Sequence, residues 1–296
     1  MLNLINTKKY KSAVILITAL FLFFSAWFAS FLISDSFQEK SYVLLSEVYG
    51  VVALVGGLVG LAFSKSLGGF KSYFGKAVIF MSLGLLLQEF GQLAFSYMNS
   101  IAHVEVPYPS YPDIGFFGSI PVYILGAYYL AKGLGVWPII KKSPLKLIAS
   151  IVLSAAIVAT SYWLFLKGYQ TAGAAKTAVF FDFGYPLGQA IYVSIALTIL
   201  LSVQGLLGGK MKKPILLLLF AFLVQYLADS NFLYQTIHET WGPAGYGDYI
   251  YLLAYFLMGM AVIAICAPIN SLRQGVSAPK TEPEEEKEEA SSEEEA

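Results

Sequence analysis

Carboxylates and amides recur inside apolar runs of this chain, and they are the groups with which it could do chemistry. Residues 88–126 read QEFGQLAFSYMNSIAHVEVPYPSYPDIGFFGSIPVYILG, two apolar runs joined by a Pro/Tyr-rich connector. Gln88, Glu89 and Gln92 lie in the first run and Asp113 opens the second. The arrangement returns near the C-terminus in LADSNFLYQTIHETWGPAGYGDYIYLLAYFLMG, with Asp229, Asn231 and Asp248. Ionisable groups at membrane depth are costly and mark functional sites by default. The site is therefore expected between these two hairpins, as a pocket for a proton, a cation or a small ligand.

The acids divide by position. Glu47, Asp113, Asp182 and Asp248 stand where helices are expected to start, and there two explanations compete. An acid at a helix N-terminus bonds free backbone amides and faces the positive end of the dipole, so capping alone would account for it. Ligand binding is the alternative. Glu89 and Asp229 fall about two turns or more from any helix end, beyond the reach of either effect. With no Lys or Arg predicted at that depth, such a carboxylate takes up a proton, binds a cation, or serves as an interhelical hydrogen-bond partner. The two are expected to meet across the bundle and share a proton or cation. Tyr185 and Tyr251 belong to a crowd of tyrosines at the same level, most of them an interfacial belt and a minority walling the pocket. His103 and His238 sit in loops nearby without metal-ligand spacing.

The elements that must position these groups follow from composition. Of 296 residues 57% are hydrophobic and 13% charged, against about 25% charged in an ordinary soluble domain, so the chain is a polytopic membrane protein. Eight apolar runs, near 12–34, 42–64, 77–98, 113–134, 147–166, 178–203, 214–236 and 248–269, approach the roughly 20 residues that cross the hydrocarbon. They are continuous and do not alternate, so an all-α, eight-helix transmembrane bundle is expected and a barrel is not. The first run follows Lys8, Lys9 and Lys11 but is too long for a cleaved signal segment. With the N-terminus inside, fourteen Lys/Arg fall in inner segments and three (Lys40, Lys167, Lys176) in outer ones, which puts both termini in the cytoplasm of a multi-pass cell-membrane protein.

Charge also separates the end of the chain. Nine of the nineteen acids are Glu residues in the last fifteen positions, so residues 1–276 form the transmembrane domain and 277–296 a disordered acidic cytoplasmic tail. The other ten acids all fall in outer loops or the outer half of the spans, a bias that insertion does not require. Gly50, Gly56, Gly57 and Gly60 suit close helix packing in the second span. Pro121 and Pro186 each remove a backbone donor, giving either a plain kink or freed carbonyls beside a cavity. Spans three–four overlay on seven–eight, with Asp113 on Asp248, Phe116 on Tyr251 and Gln92 near Asp229, which predicts a parallel 4+4 repeat. A single Cys266 excludes an internal disulfide, and no phosphate loop, zinc motif, nucleophile–base pair or nucleic-acid motif is present. No cofactor, metal, catalysis or nucleic-acid partner is expected; the bilayer is.

Three motifs in order carry a resemblance. LGLLLQEFGQLAFSYM…PYPSYPDIGFFGSIPVYILG is similar to the "PSxADxxYLxxYP" pattern of prokaryotic polytopic membrane sensory modules that precede diguanylate cyclase or histidine kinase domains. FDFGYPLGQAIYVSIALTILL resembles their "LDLAYPLGD" helix, and LLFAFLVQYLADSNFLY…GYGDYIYLLAYFLMGMA their closing hairpin. Pro112 replaces the Ala before the Asp, Phe116-Phe117 the Tyr-Leu, and Ile120 the Tyr of "YP". The resemblance implies a sensory module with no established ligand. Since no output domain follows Arg273, it would signal through a separate membrane or cytoplasmic partner. A proton- or cation-coupled secondary transporter is the competing expectation.

Overall fold

A computed structural model describes residues 8–33, 38–104, 106–167, 175–203, 209–237 and 240–277. The acidic tail, His238, Glu239 and Glu105 lie outside them. The described residues are all-helical, and eight helical segments are long and apolar enough to cross a membrane. The helices are α1 (Lys8–Ile33), α2 (Glu39–Val48), α3 (Val51–Ser64), α4 (Tyr73–Ser96), α5 (Tyr111–Gly133), α6 (Val136–Lys141), α7 (Pro144–Ser161), α8 (Lys176–Ser202), α9 (Lys212–Ile237) and α10 (Tyr246–Ser277). All eight expected spans are present, and most run a few residues past the apolar stretch. Flanking Lys and Tyr continue the helix into the interface, where long side chains keep their charge in water. Lys132, for example, lies 5.2 Å from the Tyr73 ring and 5.3 Å from that of Tyr128.

The second span departs from a single helix. It bends at Tyr49–Gly50, between α2 and α3, with neither Pro nor a polar run to announce the break. The fifth span ends in a π-helical turn, Tyr162–Leu166, and the third in another, Tyr97–Ile101. Pro121 and Pro186 both sit inside helices that continue through them.

α10 is the centre of the bundle: 78% of its spanning window is buried, against 11% for the peripheral span that contains α7. It packs against α1, α3, α4 and α9. Small residues permit the approach. At the α3–α10 crossing, a Cβ on Gly56 would stand 3.3 Å from the Gly259 Cα. In the α4–α5 hairpin, a Cβ on Gly115 would stand 2.7 Å from the Gly91 Cα. The second-span glycines thus serve the close packing that their spacing predicts. Contacts also cross between the halves of the chain in matching fashion: α3 meets α10, and α5 meets α8. Tyr10 of α1 packs edge-on to Phe63 at the end of α3, 4.5 Å between centroids, so the Lys-rich ends gather on one face. The starts of α5 and α10 lie at the other.

Candidate functional site

At that second face the helices enclose a cavity with about 100 Å³ open to water centres. It is walled by α4, α5, α8, α9, α10 and the α2–α3 bend. Four aspartates line it: Asp113, Asp182, Asp229 and Asp248. Asp113, Asp182 and Asp248 are buried and Asp229 partly so. No Lys, Arg or His stands among the described lining residues. Apolar rings fill much of the wall, including Phe95, Phe116, Phe232 and Trp241, with Phe95 and Trp241 edge-to-face at 5.7 Å.

Each carboxylate is positioned by a hydroxyl from another part of the chain. The Tyr185 hydroxyl on α8 donates to Asp113 Oδ1 at 2.7 Å, and the Tyr108 hydroxyl donates to Asp182 Oδ1 at 2.8 Å. The Tyr251 hydroxyl on α10 donates to Asp229 Oδ1 at 2.7 Å, and the Ser46 hydroxyl on α2 donates to Asp248 Oδ2 at 2.7 Å. Amides add to Asp229: Gln189 Nε2 donates to its Oδ2, as does Gln225 Nε2 at 3.2 Å. Hydrogen bonding of this kind offsets part of the desolvation of a buried carboxylate but supplies no counter-charge.

Capping and site membership coincide for two of the acids. Asp113 accepts the Ser110 backbone N–H at 2.8 Å, closing half of a capping box at the start of α5. Asp248 accepts the Ala244 N–H at 2.9 Å at the start of α10. Both also face the cavity, so the two explanations are not exclusive. For the other two, the expected helix starts are corrected. Asp182 is the seventh residue of α8, which begins at Lys176, and Glu47 is the ninth of the ten residues of α2. The helices begin earlier than the apolar runs, so neither acid caps anything. Glu47 is instead bonded by the Ser100 hydroxyl, outside the cavity lining.

The expected meeting of Glu89 and Asp229 is also corrected. Asp229 takes its bonds from Tyr251, Gln189 and Gln225. Glu89 is 4% exposed, lies outside the cavity lining, and its Oε2 has no hydrogen-bond partner among the described residues. That oxygen occupies the space where a Cβ on Gly50 would fall, at the α2–α3 bend. Asn231 likewise lies off the cavity, its Nδ2 bonded to Gln235 Oε1 at 2.9 Å. Gln92, Tyr185 and Tyr251 are in the lining as expected. Gln92 ties the bend in place: its Nε2 donates to the Ser46 carbonyl at 2.7 Å and its Oε1 accepts from Tyr49 Oη at 3.3 Å.

Ser46, Tyr49, Gln189 and Tyr255 also line the cavity and escaped the sequence reading. Two of the four carried a signal. Gln189 follows Asp182 and Tyr185 at i+7 and i+4, and Tyr255 follows Asp248 and Tyr251 at the same spacings, so each set shares one helix face. Tyr49 and Ser46, three residues apart, share a helix face with each other but stand at no helical spacing from an expected site residue of their own span. Among the tyrosines at this level, Tyr97, Tyr111, Tyr234 and Tyr246 are exposed and off the cavity, whereas Tyr185 and the likewise exposed Tyr108 wall it with Trp241. Pro186 lies in the wall and Pro121 does not.

Beneath the cavity, the Tyr255 hydroxyl donates to Gln88 Oε1 at 3.2 Å and Gln88 Nε2 donates to Ser119 Oγ at 2.8 Å. Below that the floor is aromatic. Tyr192 stands 4.4 Å from Phe222 and Tyr123 5.7 Å from it, all three nearly inaccessible. Among the described residues no three His, Cys, Asp or Glu side chains converge to hold a metal ion. Comparison with protein-family models, with curated proteins and with solved structures gave no match.

Proposed function

We propose that this chain is an integral-membrane ligand-binding module of the sensory type, with its cavity open to the outside of the cell membrane. The carrying observation is the cavity itself, where four aspartates from four helices face a shared space with no basic residue among the described lining. The fourteen-to-three distribution of Lys and Arg supports the orientation, with both termini in the cytoplasm. The motif resemblance supports the sensory role, exercised through a separate signalling partner rather than through catalysis by this chain. Ligand entry would act on the contacts that join the halves, since Tyr185 reaches Asp113 and Ser46 reaches Asp248 across them.

A proton- or cation-coupled transporter is the second reading, favoured by Pro186 in the cavity wall. The aromatic floor of Tyr123, Tyr192 and Phe222 argues against it, because a path inward would have to part three tightly buried rings. The orientation and access are tested with one engineered thiol. Ser230 lines the cavity and the natural Cys266 is buried, so Ser230→Cys in a Cys266→Ala background reports on the cavity alone. A membrane-impermeant maleimide should label it in intact cells. Labelling only after permeabilisation, or none at all, refutes an outward binding site. Gradient-driven accumulation of a cavity ligand in proteoliposomes would replace the sensor by the transporter.

A further inference from the structure

We propose that the occupant of this cavity is a small organic ammonium ion with an apolar or aromatic body, an inference that rests on the ligand-binding reading above. Three features converge on that class. The first is charge. The described lining presents four carboxylates and no basic side chain, and the bonds to Asp113, Asp229 and Asp248 come from neutral hydroxyl, amide, indole and backbone donors. Neutral donors satisfy lone pairs but bring no counter-charge, so a carboxylate that ionises in this cavity lacks a cationic partner there. A cation completes the site and an anion is repelled from it.

The second is the spacing of the acids. A calcium-type ion needs six to eight oxygens converging within about 2.6 Å, and magnesium needs a near-octahedral set. Here no three acids come together among the described residues. Each is instead held at its own corner by its own hydroxyl. Dispersed carboxylates around a space of about 100 Å³ suit a molecule that presents one N–H cluster to one corner and fills the remainder with its body.

The third is the wall. Trp241 and Phe95 form an edge-to-face pair beside Asp248, and Trp241 also donates a side-chain hydrogen bond to that carboxylate. A carboxylate next to an indole and a phenyl ring attracts an ammonium group twice, by charge and by the ring quadrupole. Hydrated inorganic cations gain little from such a wall, whereas the organic body of an amine is sheltered by it.

The test uses the purified full chain in detergent and a panel of chloride salts and isosteres, read as thermal unfolding. The probes are methylammonium, butylammonium, 2-phenylethylammonium, sodium and calcium, with 2-phenylethanol and phenylacetate as the neutral and anionic counterparts of the largest amine. The transition should rise with concentration for the amines, most for 2-phenylethylammonium, and stay unmoved by phenylacetate and the metal ions. Asp248→Asn should abolish the rise. Because Asp248 also caps α10, Phe95→Leu provides a second variant: it keeps the apolar wall, removes a ring face from it, and should lower the apparent affinity several-fold. An equal rise with 2-phenylethanol, a rise with calcium alone, a rise with phenylacetate, or no rise with any amine overturns the proposal. Amine stabilisation that persists unchanged in both variants overturns it too. The maleimide experiment separates the two levels: a labelled Ser230→Cys without an amine response sinks only the ligand class, whereas an unlabelled one sinks the binding site.

Discussion

Gly50→Ala is a one-methyl probe of the α2–α3 bend. Gly50 sits at φ −59°, ψ −17°, a conformation alanine adopts freely, so no backbone strain enters. On propensity alone the change would be favourable, by up to about 1 kcal/mol. The added Cβ, however, falls on Glu89 Oε2 and 3.2 Å from Gln92 Cγ. Glu89 is buried, and Gln92 is pinned through its amide to Ser46 and Tyr49, so neither neighbour yields without loss. Overpacking of this kind costs about 1–3 kcal/mol. Taking about 2–4 °C per kcal/mol, the unfolding temperature should fall by roughly 2–12 °C. Gly118→Ala, where nothing lies within 4 Å of the new methyl, is the control and should be neutral or slightly stabilising. The decisive arm is the double variant Gly50→Ala/Glu89→Ala. Removing the carboxylate opens the space, so the double variant should be less destabilised than the sum of the singles, a coupling of about 0.5–3 kcal/mol. If Gly50→Ala melts with the wild type, or the two changes simply add, Glu89 does not fill the bend.

Four further outcomes follow from the same structure. Gly115→Ala places its methyl against the backbone of Gly91 and Leu87, which cannot rotate aside, so α4 and α5 must separate; size-exclusion chromatography should show loss of the monodisperse species. Glu89→Gln and Asp229→Asn should change thermal stability additively within about 0.5 kcal/mol, since no hydrogen bond links the two groups among the described residues; strong coupling in a double-mutant cycle would restore the shared-proton pair. Reporter fusions after Lys65 and Lys146 should read cytoplasm and one at His238 exterior, with an exterior signal at Lys146 contradicting the charge distribution. Truncation after Ser277, which removes the acidic segment, should leave insertion and melting unchanged; a lost transition would make that segment structural.

The spans were legible because a single constraint decides them. Backbone groups in hydrocarbon must bond internally, so twenty apolar residues become a helix whatever their order. The interruption at Tyr49–Gly50 was not legible for the same reason. SEVYGVVALVGG reads as one apolar run, and the break depends on what stands opposite it: Gln92 bonding the Ser46 carbonyl, and Glu89 lying against Gly50. Neither interaction is local. The starts of α2 and α8 were misplaced because hydropathy locates where apolar residues begin, while the helix continues outward through Glu39 and Lys176. That shift alone turned Glu47 and Asp182 from expected caps into side chains inside a helix.

Depth along a span can be counted from a sequence, but direction around the helix must be matched to a neighbour. Glu89 and Asp229 were paired on depth, and their azimuths separate them. At about 100° per residue, Gln88 and Gln92 lie within a narrow sector of α4. Gln88 faces Ser119 and Tyr255, and Gln92 faces Ser46 and Tyr49. Glu89 lies about 60° round the helix from Gln92, and both meet Gly50 of the second span, but only Gln92 reaches the cavity lining. Asp229 has Gln225 four residues before it on α9, on the same face, and Tyr251 from α10 completes its set. Each of the four acids in the cavity lining takes a hydroxyl from another part of the chain, whereas Glu89 lies outside that lining. Glu89 is left with an unpartnered oxygen filling a glycine's vacancy, so its place in the fold is steric before it is chemical.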